Sequence, residues 1–143
     1  MSEKIKVLFV CVHNGGRSQI AEAFLNNMAG ERFVAESAGL EPGVMNRLVI
    51  KSMKDVGIDI SKNKTKSINE FIGKYYDYVI TVCDESSGEK CPVFPGNSKR
   101  LHWTFEDPSL LNGSEEENII KIAEIRDEIK EKIRKFINEF GVY

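Results

Sequence analysis

The chain has 143 residues, of which 41% are hydrophobic and 29% are charged. This length is typical of one domain with its own core, so we expect residues 1–143 to form a single domain. Its 20 basic and 22 acidic residues leave a net charge of −2, which offers no general attraction for nucleic acid. The longest apolar run is too short to cross a bilayer, and the N-terminus lacks the apolar core of a signal peptide. We therefore expect a cytoplasmic protein that binds neither nucleic acid nor a membrane.

The hydrophobic pattern alternates between strands and helices along the chain. Residues 5–11 are a nearly continuous apolar run, which is typical of a strand that is covered on both faces. Apolar residues then recur at helical spacing over residues 20–28, and a short second strand is predicted for residues 33–37. A second helical pattern covers residues 48–56 and is predicted to end at Gly57.

Two capping boxes mark the remaining helices. Ser67 followed by Glu70 predicts the start of a short helix, because their side chains can satisfy backbone N–H groups that have no partner inside the helix. Ser114 and Glu117 have the same spacing. Isoleucine and phenylalanine residues follow at helical spacing over residues 122–140, which predicts a long amphipathic helix.

This alternation of strands and helices predicts an α/β fold. Residues 78–83 form another strand of the buried type, and residues 100–105 form a weaker fourth strand. We expect three layers, with a four-stranded parallel sheet that has helices on both faces. Ligands bind to such sheets beyond the carboxyl ends of the strands. Cys11 and Cys83 both end predicted strands, so they are expected at that edge.

The segment from Cys11 to Ser18 carries most of the functional information. Five residues separate a cysteine at a strand end from Arg17 at a helix start, and Gly15 and Gly16 between them allow a turn with positive φ. Successive backbone N–H groups in such a loop bind a tetrahedral oxyanion. The arginine adds a planar contact to two oxygens. The predicted oxyanion-binding residues are Val12, His13, Asn14, Gly15, Gly16, Arg17 and Ser18.

Cys11 is the candidate nucleophile of this loop. The dipoles at the helix start favour a thiolate, so we expect a pKa below the reference value of about 8.5. Ser18 can donate to the sulfur or cap the helix, and for His13 we expect the backbone amide to matter more than the ring. The alternative is a buried cysteine beside a glycine turn and a surface arginine. The preceding strand and the following helix favour the oxyanion site.

Residues 10–22, VCVHNGGRSQIAE, resemble the loop and first helix of low-molecular-weight tyrosine phosphatases and of thioredoxin-coupled arsenate reductases, two families that share a fold. The resemblance extends over almost the whole chain, through SAG at 37–39, GIDIS at 57–61, VITVC at 79–83 and DP at 107–108. It favours the reductases. Phosphatases of this fold typically have aromatic residues after the Asp-Pro pair, whereas this chain has Ser109 and Leu110.

The cysteines also favour a reductase. An odd count of three argues against a framework of structural disulfides. A phosphatase of this family needs one thiolate, whereas a reductase needs two further thiols that supply electrons. The resemblance gives these roles to Cys83 and Cys91, although the loop between them is one residue longer than is usual in the reductases. The alternatives are a buried Cys83, an ordinary loop thiol at Cys91, or a zinc site with His102, whose spacing matches no compact zinc motif.

We therefore expect an enzyme that reduces arsenate to arsenite by a three-cysteine thiol–disulfide relay and is regenerated by a thioredoxin-like protein. Phosphate and sulfate are the expected competing oxyanions. The alternative function is a low-molecular-weight phosphotyrosine phosphatase. The resemblance makes Asp107 the acid that protonates the leaving oxygen, and a turn cap is its alternative role. The catalytic residues implied by the resemblance are Cys11, Arg17, Cys83, Cys91 and Asp107.

No cofactor and no required metal are expected. The chain shows no nicotinamide or flavin site, so the electrons have to come from a protein partner. Some of these reductases hold a potassium ion beside the loop, but Lys66 stands where they have an acidic ligand. A lysine there would repel the ion or replace it with its own ammonium group. We expect a monomer.

Overall fold

The structure is a computed structural model that describes residues 3–84 and 93–140. The strands in these residues are β1 (Ile5–Cys11), β2 (Phe33–Gly39), β3 (Tyr78–Thr81) and β4 (Lys99–His102). The α-helices in the same part of the chain are α1 (Arg17–Ala29), α2 (Arg47–Lys54) and α3 (Glu115–Phe140). Short 3₁₀-helices cover Ile68–Glu70 and Pro108–Leu110.

The four strands form one parallel sheet in the order β2-β1-β3-β4. This confirms the predicted four-stranded parallel α/β fold. Cys11 is the last residue of β1, where it pairs with Gly39 of β2. The third strand ends at Thr81, two residues earlier than predicted, and Cys83 follows it at the same edge of the sheet. The two cysteines therefore leave neighbouring parallel strands in the same direction.

The side chains of β1 alternate between the two faces of the sheet. Val7 and Phe9 belong to a large apolar cluster that includes residues of all three α-helices. Leu8 and Val10 belong to a smaller cluster on the other face, with residues of the 3₁₀-helix Ile68–Glu70 and of the chain after it. The predicted three layers are thus present. In the described residues, one outer layer consists of the α-helices and the other of a 3₁₀-helix with connecting segments.

Both predicted capping boxes form. The backbone N–H of Ser67 donates to the Glu70 carboxylate at 3.0 Å, and this box opens a 3₁₀-helix of three residues. Ser114 and Glu117 donate their backbone N–H groups to each other's side chains at 3.1 Å, at the start of the 26-residue α3. No helix within residues 3–84 and 93–140 is apolar over a length that could cross a membrane.

Phe136 lies at the centre of the aromatic contacts between α3 and the sheet, so its replacement should destabilise the protein. Its ring centroid lies 5.6 Å from that of Phe33, 5.4 Å from that of Tyr78 and 5.7 Å from that of Trp103. Phe136→Ala should lower the free energy of unfolding by about 3–5 kcal/mol, because a cavity remains among these rings. Phe140→Ala removes a half-buried ring one turn later and should cost clearly less. Urea unfolding followed by circular dichroism measures both, and equal losses would contradict a central role for Phe136.

Candidate active site

A cavity of about 270 Å³ opens beyond the carboxyl end of β1. The loop between β1 and α1 forms part of its wall, and two later segments of the chain complete it. The cavity brings together most of the predicted site residues, while Val12, Ser18 and Cys83 lie outside its lining. The lining residues are Cys11, His13, Asn14, Gly15, Gly16, Arg17, Gly43, Val44, Asn46, Asp107, Pro108 and Ser109.

The carbonyl groups of this loop are held by the chain that follows β2. Four of them accept backbone N–H hydrogen bonds of 2.7 to 3.0 Å from residues 40–46. Because the C=O and N–H bonds of a trans peptide unit point in opposite directions, the N–H groups of the loop face the other way. The N–H of Asn14 accordingly donates to the Cys11 sulfur at 3.1 Å. The pairs, acceptor first, are Cys11 with Leu40, Val12 with Glu41, His13 with Gly43, and Gly15 with Asn46.

Cys11 is a free thiol that is only 2% exposed. Its sulfur lies 2.8 Å from the hydroxyl oxygen of Ser18. Burial raises the pKa of the Cys11 thiol above its ordinary value, and the Ser18 hydroxyl, the Arg17 guanidinium and the Asn14 N–H oppose this rise. The expectation of a lowered pKa is therefore wrong for this structure, because it counted the helix dipole and omitted the loss of water around the sulfur.

Arg17 is held in place by the chain that follows β4. Its guanidinium is 3% exposed, donates to the carbonyl of Phe105 at 3.1 Å and lies 3.4 Å from the Asp107 carboxylate. The other carboxylate oxygen of Asp107 accepts hydrogen bonds from the N–H and hydroxyl groups of Ser109 at 2.9 and 2.8 Å. Asp107 thus caps the 3₁₀-helix Pro108–Leu110 and also presents an oxygen to the cavity.

Positive φ occurs at Asn14, with a value of 58°, rather than at Gly15 or Gly16 as the sequence led us to expect. Gly15 is required for a different reason. A Cβ atom there would lie 2.4 Å from the carbonyl oxygen of Val44. Gly39 at the end of β2 is equally constrained, since a Cβ atom would lie 2.8 Å from the Val12 oxygen and 2.9 Å from the Asn14 nitrogen. These glycines allow close approach of two backbones.

Two side chains of the loop have structural contacts of their own. The His13 ring donates from Nδ1 to the carbonyl of Glu41 at 2.9 Å, which helps to hold the segment after β2 against the loop. Ser18 makes no cap at the start of α1, which begins after Gly16 without a side-chain cap. Its hydroxyl oxygen lies against the Cys11 sulfur instead, a contact in which either group can be the donor.

Cys83 is completely buried and disulfide-bonded. Cys91 lies outside the described residues, as does the chain over 85–92, so its predicted role stays a prediction. The Nδ1 atom of His102 lies 2.6 Å from the Thr81 hydroxyl oxygen. In the described part of the chain, no three His, Cys, Asp or Glu side chains form a group that could hold a metal ion.

Lys66 lies beside the loop, with its ammonium 3.3 Å from the carboxylate of Glu22. The same carboxylate oxygen accepts a hydrogen bond of 2.7 Å from the Ser37 hydroxyl. A cationic group of the chain itself therefore already faces this acid. That the protein requires no metal stays a prediction.

Several residues that shape the site were not predicted from the sequence. Gln19 is fully buried on α1 and donates to the Asn14 side chain at 3.0 Å. Asn46 lines the cavity and caps α2 with its side chain. The turn-forming residues Glu-Pro-Gly at 41–43 lie one residue after the end of β2, and this signal could have indicated a second loop at the same sheet edge.

The family model of the low molecular weight phosphotyrosine protein phosphatases matches residues 6–141. The chain belongs to this family. It is 39% identical to an arsenate reductase of Oceanobacillus iheyensis over 136 residues, which cover 95% of this chain and 96% of that protein.

Solved structures agree with this assignment. The crystal structure of an arsenate reductase from Archaeoglobus fulgidus matches with a TM-score of 0.76 and 33% identity, over 92% of this chain and 98% of that chain. A thioredoxin-dependent arsenate reductase from Corynebacterium glutamicum matches with a TM-score of 0.63 and 34% identity, over 93% of this chain and 63% of that chain. The predicted resemblance to thioredoxin-coupled arsenate reductases is thereby confirmed.

Gly39→Ala should damage oxyanion binding, because the added methyl group collides with the backbone of the loop. Overpacking of this kind costs about 1–3 kcal/mol, so we expect phosphate to bind about tenfold more weakly or worse. Gly43→Ala is the matched control, since its methyl group would make ordinary contact with the His13 side chain at 3.5 Å. Titration calorimetry with phosphate compares the two, and equal affinities would show that the loop does not depend on this close approach.

Proposed function

We propose that this protein reduces arsenate to arsenite in the cytoplasm through Cys11, Cys83 and Cys91, with a thioredoxin-like protein as the reductant. The observation that carries the proposal is a second buried cysteine at the same sheet edge, Cys83, which is disulfide-bonded while Cys11 is a free thiol. A phosphatase of this fold needs the nucleophile alone. Relatives that are named arsenate reductases over nearly the full chain support the same reaction.

The first step is attack of the Cys11 sulfur on arsenic. The loop N–H groups and Arg17 hold the oxygens of the tetrahedral anion. Burial raises the pKa of Cys11, so its proton has to leave as the sulfur attacks, and an oxygen of the arsenate dianion can accept it. A sulfur–arsenic bond forms, an arsenic–oxygen bond breaks, and the oxygen departs as water. We expect Asp107, which lines the cavity, to protonate that oxygen.

The second step transfers two electrons to arsenic. The Cys83 thiol attacks the Cys11 sulfur, the sulfur–arsenic bond breaks with its electron pair left on arsenic, and arsenite leaves. Cys91 then attacks Cys83 and releases Cys11, and the thioredoxin-like protein reduces the new disulfide by thiol exchange. A disulfide at Cys83 beside a free Cys11 is the state that this sequence of steps reaches before the reductant acts.

Hydrolysis of phosphate monoesters, including phosphotyrosine, is the second candidate function. The cavity extends past the loop along Val44, which is 86% exposed, and Pro108. These side chains offer apolar contact to an organic group attached to the bound anion. A phosphoester would use Cys11, Arg17 and Asp107 but neither of the other cysteines.

Cys83→Ser and Cys91→Ser should each stop catalytic arsenate turnover and leave hydrolysis of para-nitrophenyl phosphate intact. Only the redox route needs the additional thiols. Without Cys91, a Cys11–Cys83 disulfide can form once but cannot be passed on, so we expect about one arsenite per enzyme. Single-turnover assays with mass mapping of disulfides measure this.

Cys11→Ser is the control for this pair of variants, because a hydroxyl in the loop is barely ionised and should support neither reaction. Sustained thioredoxin-driven turnover by Cys91→Ser would refute the relay. Full arsenate turnover by both the Cys83 and Cys91 variants would refute any redox role of these thiols. Absence of arsenate turnover in the unsubstituted protein, with efficient ester hydrolysis, would establish the phosphatase instead.

Asp107→Asn should slow formation of the Cys11–arsenic adduct by about 10²–10⁴-fold, because an amide cannot deliver a proton. The amide oxygen can still accept the Ser109 hydrogen bonds, so the cap should survive. Ser109→Ala removes one of those bonds and keeps the acid, and it should cost only a few-fold. Rapid-quench measurement of the first turnover separates the two. A few-fold effect of Asp107→Asn would leave this residue with the role of a cap.

A further inference from the structure

Gln19 is a fully buried polar side chain on α1 that no step of the proposed reaction uses. Its amide nitrogen donates to the side-chain oxygen of Asn14 at 3.0 Å and to the carbonyl of Lys64 at 3.1 Å. Its amide oxygen accepts a hydrogen bond of 3.1 Å from the Asn63 side chain. Gln19 therefore connects the oxyanion loop to the extended chain around residue 64.

Backbone atoms fix which way each amide of this network faces. A carbonyl only accepts, so the Gln19 atom that faces Lys64 has to be the nitrogen. A backbone N–H only donates, so the Asn14 atom that lies 3.0 Å from the Lys66 nitrogen has to be the oxygen. Neither amide can be turned over without placing two donors or two acceptors against each other.

This chain of hydrogen bonds ends at Cys11, and the direction of each bond can be followed to the sulfur. The amide nitrogen of Asn14 faces the Ser18 oxygen at 2.7 Å, so the hydroxyl group accepts there. Its own proton is then available for the Cys11 sulfur at 2.8 Å. A hydroxyl that donates to the sulfur stabilises the thiolate, whereas one that accepts from it stabilises the thiol.

We propose that Gln19 is a positioning residue that acts through Asn14 and Ser18 to keep a hydrogen-bond donor on the Cys11 sulfur. The inference rests on the proposed function in one respect, that Cys11 is the nucleophile. The other charged groups around this network are Arg17 on α1 and Asp107, which line the cavity, and the ion pair of Glu22 with Lys66. The variants below leave all of these side chains in place.

Gln19→Met keeps the size of the side chain and removes both ends of its amide. A hydrogen bond to an ionised group is worth about one pKa unit or more, so we expect the pKa of Cys11 to rise by about one unit. Alkylation of Cys11 by iodoacetamide at pH 7 should slow about tenfold, with the same plateau at high pH. Mass spectrometry of the Cys11 peptide from fully reduced protein gives the rate at each pH. The assay contains no arsenate, so its outcome does not depend on whether the protein is a reductase.

Asn26→Leu is the matched control on the same helix. It removes an amide, on an exposed residue, that exchanges two hydrogen bonds with the backbone of Ala35, at 3.0 and 2.9 Å, and has no hydrogen bond to the loop. It should lower stability and leave the pKa of Cys11 unchanged. Gln19→Asn tests the same idea with a polar side chain one methylene shorter, which cannot reach all three partners. It should raise the pKa of Cys11 as Gln19→Met does, and it replaces the methionine variant in the test if that variant does not fold.

Whether Gln19 acts through Ser18 is tested in a variant that lacks the Ser18 hydroxyl group. Ser18→Ala removes the hydroxyl, so adding Gln19→Met to it should cause no further rise in the pKa of Cys11. A further rise of similar size in the double variant would overturn the route. An unchanged pKa in a folded Gln19 variant, or an equal rise in Asn26→Leu, would overturn the proposal itself.

Discussion

The direction of the peptide groups in the loop after β1 is the constraint on which the site depends. The chain after β2 donates N–H groups to the loop carbonyls, and the N–H of Asn14 in the loop accordingly points to the Cys11 sulfur. The arrangement needs two backbones in close contact, which is why Gly15 and Gly39 leave no room for a Cβ atom. An oxyanion site of this kind is therefore a property of two loops from neighbouring parallel strands. It does not reside in the cysteine-to-arginine segment alone.

The pKa of Cys11, the candidate nucleophile, is set by a balance between burial and hydrogen-bond donors. Taking the Cys11 sulfur out of water raises its pKa, and the groups around it work against that rise. The loop donor at Asn14 comes from backbone geometry, and the Ser18 hydroxyl accepts from the Asn14 side chain, which in turn accepts from Gln19. Arg17 is the third group that opposes the rise in pKa, and it is itself held by the chain after β4. The reactivity of one sulfur thus depends on segments that follow three different strands.

Several features could be predicted from local patterns because they depend on local physics. The apolar run of β1 and the helical repeat of α3 are periodicities of burial, and both elements occur where they were predicted. The capping boxes at Ser67 and Ser114 are satisfied within four residues of chain, so their partners were visible in the sequence. The ends of β3 and β4 were predicted less well, because strand ends depend on pairing with neighbours that are distant in sequence.

The sequence by itself determined the parallel α/β fold, the place of Cys11 and Arg17 at a strand-to-helix turn, and the presence of two further cysteines. Only the tertiary structure decided the raised pKa of Cys11, because desolvation depends on all the chain that surrounds a group. It also decided the parts played by Gln19 and residues 40–46, whose partners lie more than 20 residues away or on another element. A hydrogen bond between distant segments leaves no periodic trace in a sequence, so such residues can be found only once the chain is folded.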